Sequence, residues 1–184
     1  MGKVFASPPQ QITSSSSPSS ATVSEHLPPE YVTAVKDFLV DCGMSATAFS
    51  DKHDSKDFYS DLIRDLLKTD IVQRGRVSCV FSVLPAVTNL YNGLLGGAIG
   101  AIAERVAIAC ARTVVAEDKN LFLGELSISY LSAAPQSEEL VVDGSVVRSG
   151  RNLTVIAVEF RIKKSWKLVY IARATLYHMP VAKL

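Results

Sequence analysis

The chain has little with which to build a metal centre, a disulfide framework or a nucleic-acid surface. Among its 184 residues are 3 cysteines and 3 histidines. Cys42, Cys79 and Cys110 lie far apart without a C-x-x-C pair, and His26, His53 and His178 are equally scattered. Such spacings exclude the compact ligand sets of zinc sites and fit a reducing compartment, so no metal is expected. Neither sign of charge is in excess: 19 basic against 18 acidic residues leave +1, and without a broad basic field no nucleic-acid partner is expected. No secretory signal is expected. A long uncharged apolar run is lacking too. The stretch from Gly93 to Val115 has the length to cross a bilayer, but Glu104, Arg105 and Arg112 interrupt it. Each would cost about 3 kcal/mol near the bilayer centre, which argues for a buried helix and against a membrane span.

What is present suits one globular domain with a sizeable core, since 48% of residues are hydrophobic. Residues 1–27 differ. They are rich in serine and threonine, with Pro8, Pro9 and Pro18 among them, and cannot bury enough to offset their ordering entropy, so disorder is expected there. The folded domain is expected over 28–184, with a helical lead-in over 28–70. The closing tripeptide, Ala182, Lys183, Leu184, is a close variant of the Ser-Lys-Leu peroxisomal address, and suggests that organelle.

Periodicity divides the domain further. Val32, Val35, Phe38 and Leu39 recur at helical spacing over 29–43, and Phe58, Leu62, Ile63, Leu66 and Leu67 repeat it in the charged stretch that follows. From Arg76 the period changes to two: Val77, Cys79 and Phe81 alternate with Ser78, Val80 and Ser82 until Pro85 ends the strand. After the apolar helix come four strand-like runs, 121–133, 139–150, 152–164 and 166–180. The short junctions SGRN and KKSWK predict tight hairpins, and the four runs are expected to form an antiparallel meander. The fold class is therefore α+β: a long central helix, apolar nearly all round, wrapped by a curved antiparallel sheet. Open sheet edges in such a domain call for a second copy, so a homodimer or homotetramer is expected.

Glu104 lies on the small-residue stripe of the helix, with Gly97, Gly100, Ala101, Ile108 and Ala111. Glycine in a helix costs about 1 kcal/mol relative to alanine, so something approaches the backbone here. Two readings stay open. The stripe packs on a partner subunit, with Glu104 ion-paired to Arg105 or Arg112 across the interface, or it borders a ligand. Gly93, Gly96 and Gly97 favour the ligand, because they stand where the first helical N–H groups have no acceptor and the dipole is positive. That arrangement stabilises an oxyanion on an ester or thioester carbonyl, and an acid two turns on serves as general base or nucleophile.

Asn89, six residues, Gly96-Gly97, six residues, Glu104, and then GELSISYLSAA together resemble the small hotdog-fold acyl-CoA thioesterases of the phenylacetate-degradation type. The resemblance spans roughly Arg76 to Met179. It implies that the Gly96 amide polarises the thioester carbonyl, that Glu104 activates water or attacks directly, and that Asn89 positions the reacting groups. It also implies sites at a dimer interface, the acid facing the Gly-Gly loop of the other subunit. Where that family has His before the two glycines, this chain has Leu95. A backbone oxyanion hole survives the change, and Leu95 and Gly97 are expected to touch substrate.

The substrate's other half would be the CoA nucleotide; coenzyme A is then part of the substrate and no separate cofactor is expected. Arg148 and Arg151, in the turn RSGRN, are placed to hold its phosphates, or else belong to a solvated hairpin. Cys110 reads as a small buried thiol, Asp143 as a cross-strand partner of Arg148 or Arg161, and Trp166 as a residue packed at a strand start. Hydrolysis of a fatty or aromatic acyl-CoA is the expected function. The alternatives are a non-catalytic acyl-CoA binding or regulatory protein and a structural oligomer.

Overall fold

The computed structural model describes residues 58–180 together with Thr33. The expected disordered segment 1–27, the helix expected over 29–43 apart from the helical Thr33, and the Ala182-Lys183-Leu184 tripeptide lie outside the described residues. Helix α1 (Phe58–Leu66) leads into a hairpin of β1 (Lys68–Gln73) and β2 (Arg76–Ser82), and a short 3-10 turn (Pro85–Val87) precedes helix α2 (Gly96–Arg112). Strands β3 (Lys119–Tyr130), β4 (Glu139–Ser149), β5 (Leu153–Ile162) and β6 (Leu168–Pro180) complete the domain.

All six strands join one antiparallel sheet, in the order β1-β2-β4-β5-β6-β3, and α2 packs on β2, β3, β4, β5 and β6. Alternation explains how the sheet presents a core. In β5, Thr154, Ile156, Val158 and Phe160 point inward and are fully buried. They meet Ile99, Ile102, Val106 and Cys110 on the covered side of α2. Burying each large side chain of this layer contributes roughly 2–3 kcal/mol. Gly97, Gly100, Ala101, Glu104 and Ile108, by contrast, are half-buried or exposed, whereas Ala111, from the same stripe, turns into the core.

The expected meander is only partly present. β4, β5 and β6 are consecutive neighbours through the predicted hairpins, but β3 pairs with β6 at the far edge and β2 takes the place beside β4. The connector 131–138 explains this. Leu131 N–H donates to Val169 O at 2.9 Å, Leu94 N–H to Ala134 O at 2.9 Å, and Ser137 N–H to Val83 O at 2.9 Å. These bonds carry the chain across the end of the sheet, from β6 to β2, where a tight turn would have returned it beside β3.

Strand β1 was not expected. Its KTDIVQ sequence is mostly exposed, with only Ile71 half-buried, so alternation is faint. Gly75, at φ 79°, makes the turn between its last pair, Gln73 and Arg76. Two surface contacts also differ from expectation. Asp143 pairs with Arg76 of the neighbouring β2 at 2.9 Å, because Arg161 is taken by Glu159 at 2.8 Å. Trp166 is not packed: it sits in the β5–β6 turn at φ 58°, 58% exposed, with the Arg161 guanidinium 5.8 Å from its ring.

Candidate active site

The loop before α2 is built by Asn89. Its Oδ1 accepts from Tyr91 N–H at 3.0 Å and from Gly93 N–H at 3.1 Å, while its own backbone N–H donates to Gly93 O at 2.8 Å. A short side-chain amide holds this Asx-type turn as a backbone strand would. Leu94 N–H donates to Ala134 O and Leu95 N–H to Val87 O, both at 2.9 Å, which fixes the direction in which the helix starts. Leu95 occupies the N-cap with extended backbone and no side-chain cap, so the first N–H groups of α2 are left for other acceptors. Leu95 itself is 44% exposed.

Asn89, Gly93 and Gly96 thus come together on the wall of a cleft of about 480 Å³, with Tyr130, Leu131 and Tyr170 opposite. A β-carbon on Gly96 would stand 3.4 Å from the Tyr130 hydroxyl, and one on Gly97 would meet nothing within 4 Å. Among the described residues the second glycine therefore has no packing reason. Tyr130 and Tyr170 meet edge to face at 5.8 Å, and the Tyr170 hydroxyl accepts from Ala134 N–H at 2.9 Å. Burial raises the Tyr170 pKa. Tyr130 lies within the GELSISYLSAA run but was given no role of its own, and Tyr170 is an ordinary aromatic member of a strand pattern.

Glu104 is not in this cleft. It lies two turns further along α2, about 12 Å by helical rise, and lines a separate hollow of about 220 Å³ beneath α1 with Tyr59, Ile63 and Ala101. No ion pair to it occurs among the described residues. Within the chain, the Arg112 guanidinium donates to Lys119 O at 2.7 Å. The Tyr59 hydroxyl donates to Gly97 O at 3.1 Å, tying α1 over the start of α2.

Arg148 and Arg151 lie further still. Gly96 stands beside Tyr130 at the end of β3, whereas the β4–β5 turn lies beside Tyr177 and His178, which pair near Leu121 at the start of β3. That is about 30 Å of strand. Both arginines are exposed. The turn is anchored by a chain of side chains that the sequence did not reveal: Ser149 Oγ to Thr154 Oγ1 at 2.9 Å, Thr154 Oγ1 to His178 Nε2 at 2.8 Å, and His178 Nδ1 to Arg151 O at 3.2 Å. A carbonyl only accepts, so Nδ1 carries the hydrogen, Nε2 accepts from Thr154, and Thr154 accepts from Ser149. The residues are up to 29 positions apart, and only strand register joins them.

Among the described residues no helix is long and apolar enough to cross a membrane. Cys110 is buried under β4, where burial pushes its thiol pKa up to about 11.

A central helix laid on a six-stranded antiparallel sheet, its uncapped start bringing Gly96 to a cleft, is a hotdog fold. Residues 91–166 match the family described as the thioesterase superfamily. Solved structures of the same fold include an acetyl-CoA-bound protein, smu.793 of Streptococcus mutans, 20% identical, covering 64% of this chain and 91% of that one with a TM-score of 0.58. Thioesterase superfamily member 2 from Mus musculus is 21% identical, covering 65% and 87% with a TM-score of 0.59. The E. coli PaaI protein of the phenylacetic acid degradation operon is 14% identical, covering 65% and 84%, also with a TM-score of 0.59. No curated protein gives a significant match. The chain is a hotdog-fold protein similar to the thioesterase superfamily, as the residues around Gly96 and Glu104 implied.

Proposed function

We propose that this protein is an acyl-CoA thioesterase, hydrolysing a fatty or aromatic acyl-CoA to the free acid and CoA. The observation that carries this reading is the uncapped start of α2, which brings Gly96 to the cleft shaped by Asn89. A thioester carbonyl set against the Gly96 N–H gains stabilisation as it becomes an oxyanion, because the donor is already oriented and sits at the positive end of the helix dipole. Asn89 acts by holding the loop rigid. Glu104 then activates water or attacks the carbonyl.

One chain separates these groups, and a second copy is the means of joining them. If the free edges of β3 from two chains pair antiparallel, the end of one β3 lies beside the start of the other. The Gly96 cleft of one protomer then meets the arginine turn of its partner, with the partner's helix running past it. The open space over Gly97 supports such an approach. In this arrangement Arg148 and Arg151 hold the CoA phosphates by charge-assisted bonds.

A second reading is favoured by Leu95, whose exposed side chain has no donor or proton to offer. It makes the protein an acyl-CoA binder without turnover. The deciding experiment follows release of CoA thiol from short, medium, long and aromatic acyl-CoA esters, with wild type beside Glu104→Gln. Turnover that disappears in the variant, with binding kept, is the expected result. Calorimetric binding without turnover would establish the binder, and neither would overturn both readings.

A further inference from the structure

A second cavity lies on the other flank of α1 from the Glu104 hollow. It has a volume of about 410 Å³, and its walls are mainly apolar: Leu67, Val72, Val77, Cys79, Val106 and Ala109. Ser60 and Arg105 line both this chamber and the Glu104 hollow, so the two meet at the N-terminal part of α1. The helix explains the partition. Ser60, Arg64 and Leu67 follow one face of the α1 segment into the larger chamber, Tyr59 and Ile63 follow the next face into the smaller one, and Ile63 is buried between them.

We infer that the acyl chain of the thioester runs from Glu104, past Ser60 and the stem of Arg105, into this chamber, and that the preferred substrates carry unbranched aliphatic chains of medium length. The inference rests on the thioesterase reading of Glu104. A carbonyl at the acid leaves its acyl tail to find apolar walls within a few bonds, and this half-open chamber adjoins the acid's own hollow. Arginine at the junction fits an amphipathic path, since its methylenes cover apolar atoms while the guanidinium stays in water. Arg105 has no ion-pair partner among the described residues, whereas Arg64, at the rim, is held by Asp61 at 2.9 Å and Asp65 at 3.3 Å. Size gives the chain length. An apolar cavity of about 150 Å³ accommodates benzene, so this chamber and its entrance take on the order of a dozen carbons. A planar aromatic acyl group would leave much of the space unfilled.

The test narrows the chamber from two sides in the full-length protein. Ala109 is an exposed wall residue on α2 and Val72 an exposed one on β1. Ala109→Trp and Val72→Trp therefore fill space without displacing core atoms, and either suffices if the other fails to fold. With acetyl-, octanoyl-, dodecanoyl- and palmitoyl-CoA, wild type should prefer the octanoyl or dodecanoyl ester. Each variant should lose at least about tenfold in kcat/KM for dodecanoyl-CoA, since about two excluded methylenes suffice for that factor, while acetyl-CoA turnover stays within about twofold. Folded variants that keep the wild-type ratio of dodecanoyl to acetyl turnover would overturn the inference. If wild type hydrolyses nothing, the thioesterase reading fails on its own. Calorimetry with the non-hydrolysable dodecyl and ethyl thioethers of CoA then decides the chamber separately: a selective tenfold loss of dodecyl affinity in the variants supports it, and unchanged affinity overturns it.

Discussion

The Cys110 thiol donates to the Gly144 carbonyl at 3.3 Å, where α2 packs against β4. A β-carbon on Gly144 would stand 2.9 Å from Val106 Cγ1 and 3.4 Å from Cys110 Cβ. Gly144→Ala should therefore lift the helix from the sheet and cost about 1–3 kcal/mol, as overpacking of a filled core does. Thermal or urea unfolding reads this directly, and an unchanged midpoint would show that the helix gives way freely.

Alkaline stability should depend on the same contact. The buried Cys110 thiol stays protonated in the fold up to about 11, against 9.0 when unfolded. A raised acid pKa stabilises the fold fully below the unfolded value and loses that contribution as pH rises through the folded one. Burial also raises Cys79 and Tyr170. Urea midpoints should fall between about pH 9 and 11, and less steeply in Cys110→Ala. Slow reaction of Cys110 with thiol reagents at pH 8 is the companion observation.

Gly124 lies beneath the Tyr177 ring, where β3 bulges between Leu123 and Glu125; an added β-carbon would fall within 2.5 Å of the ring's Cδ2 and Cε2. Gly124→Ala should push the ring aside and destabilise the β3–β6 pair. In a Tyr177→Ala background the same change should cost less. The difference, a coupling of about 0.5–1.5 kcal/mol from a double-mutant cycle, would vanish if the ring does not cover the glycine.

Thr154 is fully buried and passes the hydrogen-bond chain from Ser149 to His178. Thr154→Val leaves His178 Nε2 without its donor and should cost about 1–3 kcal/mol. Nitrogen chemical shifts of wild-type His178 should report the Nδ1–H tautomer; the opposite tautomer would break the assigned direction of the chain.

Gly97→Ala should separate stability from function. With nothing among the described residues within 4 Å of the new methyl group, the described fold loses no packing and gains up to about 1 kcal/mol of helix propensity. Turnover of acyl-CoA, on the proposed arrangement, should fall, because the methyl group fills space reserved for the partner or substrate. Equal activity in the variant would show that the space is not used.

Much of this architecture was legible in the sequence where one face of an element is buried and the other is not. Val77, Cys79 and Phe81 announced β2 through alternation, and the residues of α2 through a charge-poor stripe. β1 escaped because an edge strand with one half-buried residue has almost no pattern to read. The place of β3 escaped for another reason: its own alternation says which face is inward but not which neighbour accepts its hydrogen bonds, and that was decided by backbone bonds of the 131–138 connector. At the site, the grouping of Asn89 with Gly96 was local and readable. The gap between Gly96 and Glu104 followed from helical rise, yet the two separate hollows depend on α1, whose crossing over α2 no spacing reveals.

The single helix that presents Gly96 to one hollow and Glu104 to another also decides how damage would be inherited. Under the proposed pairing, each protomer lends its acid to the neighbour and borrows one in return. A chain defective only near Gly96 and a chain defective only at Glu104 would each be silent alone. Mixed together, they would form some pairs in which one site receives both faults and the other receives none. Two inactive preparations would then regain activity on co-refolding, up to half that of wild type within each mixed pair.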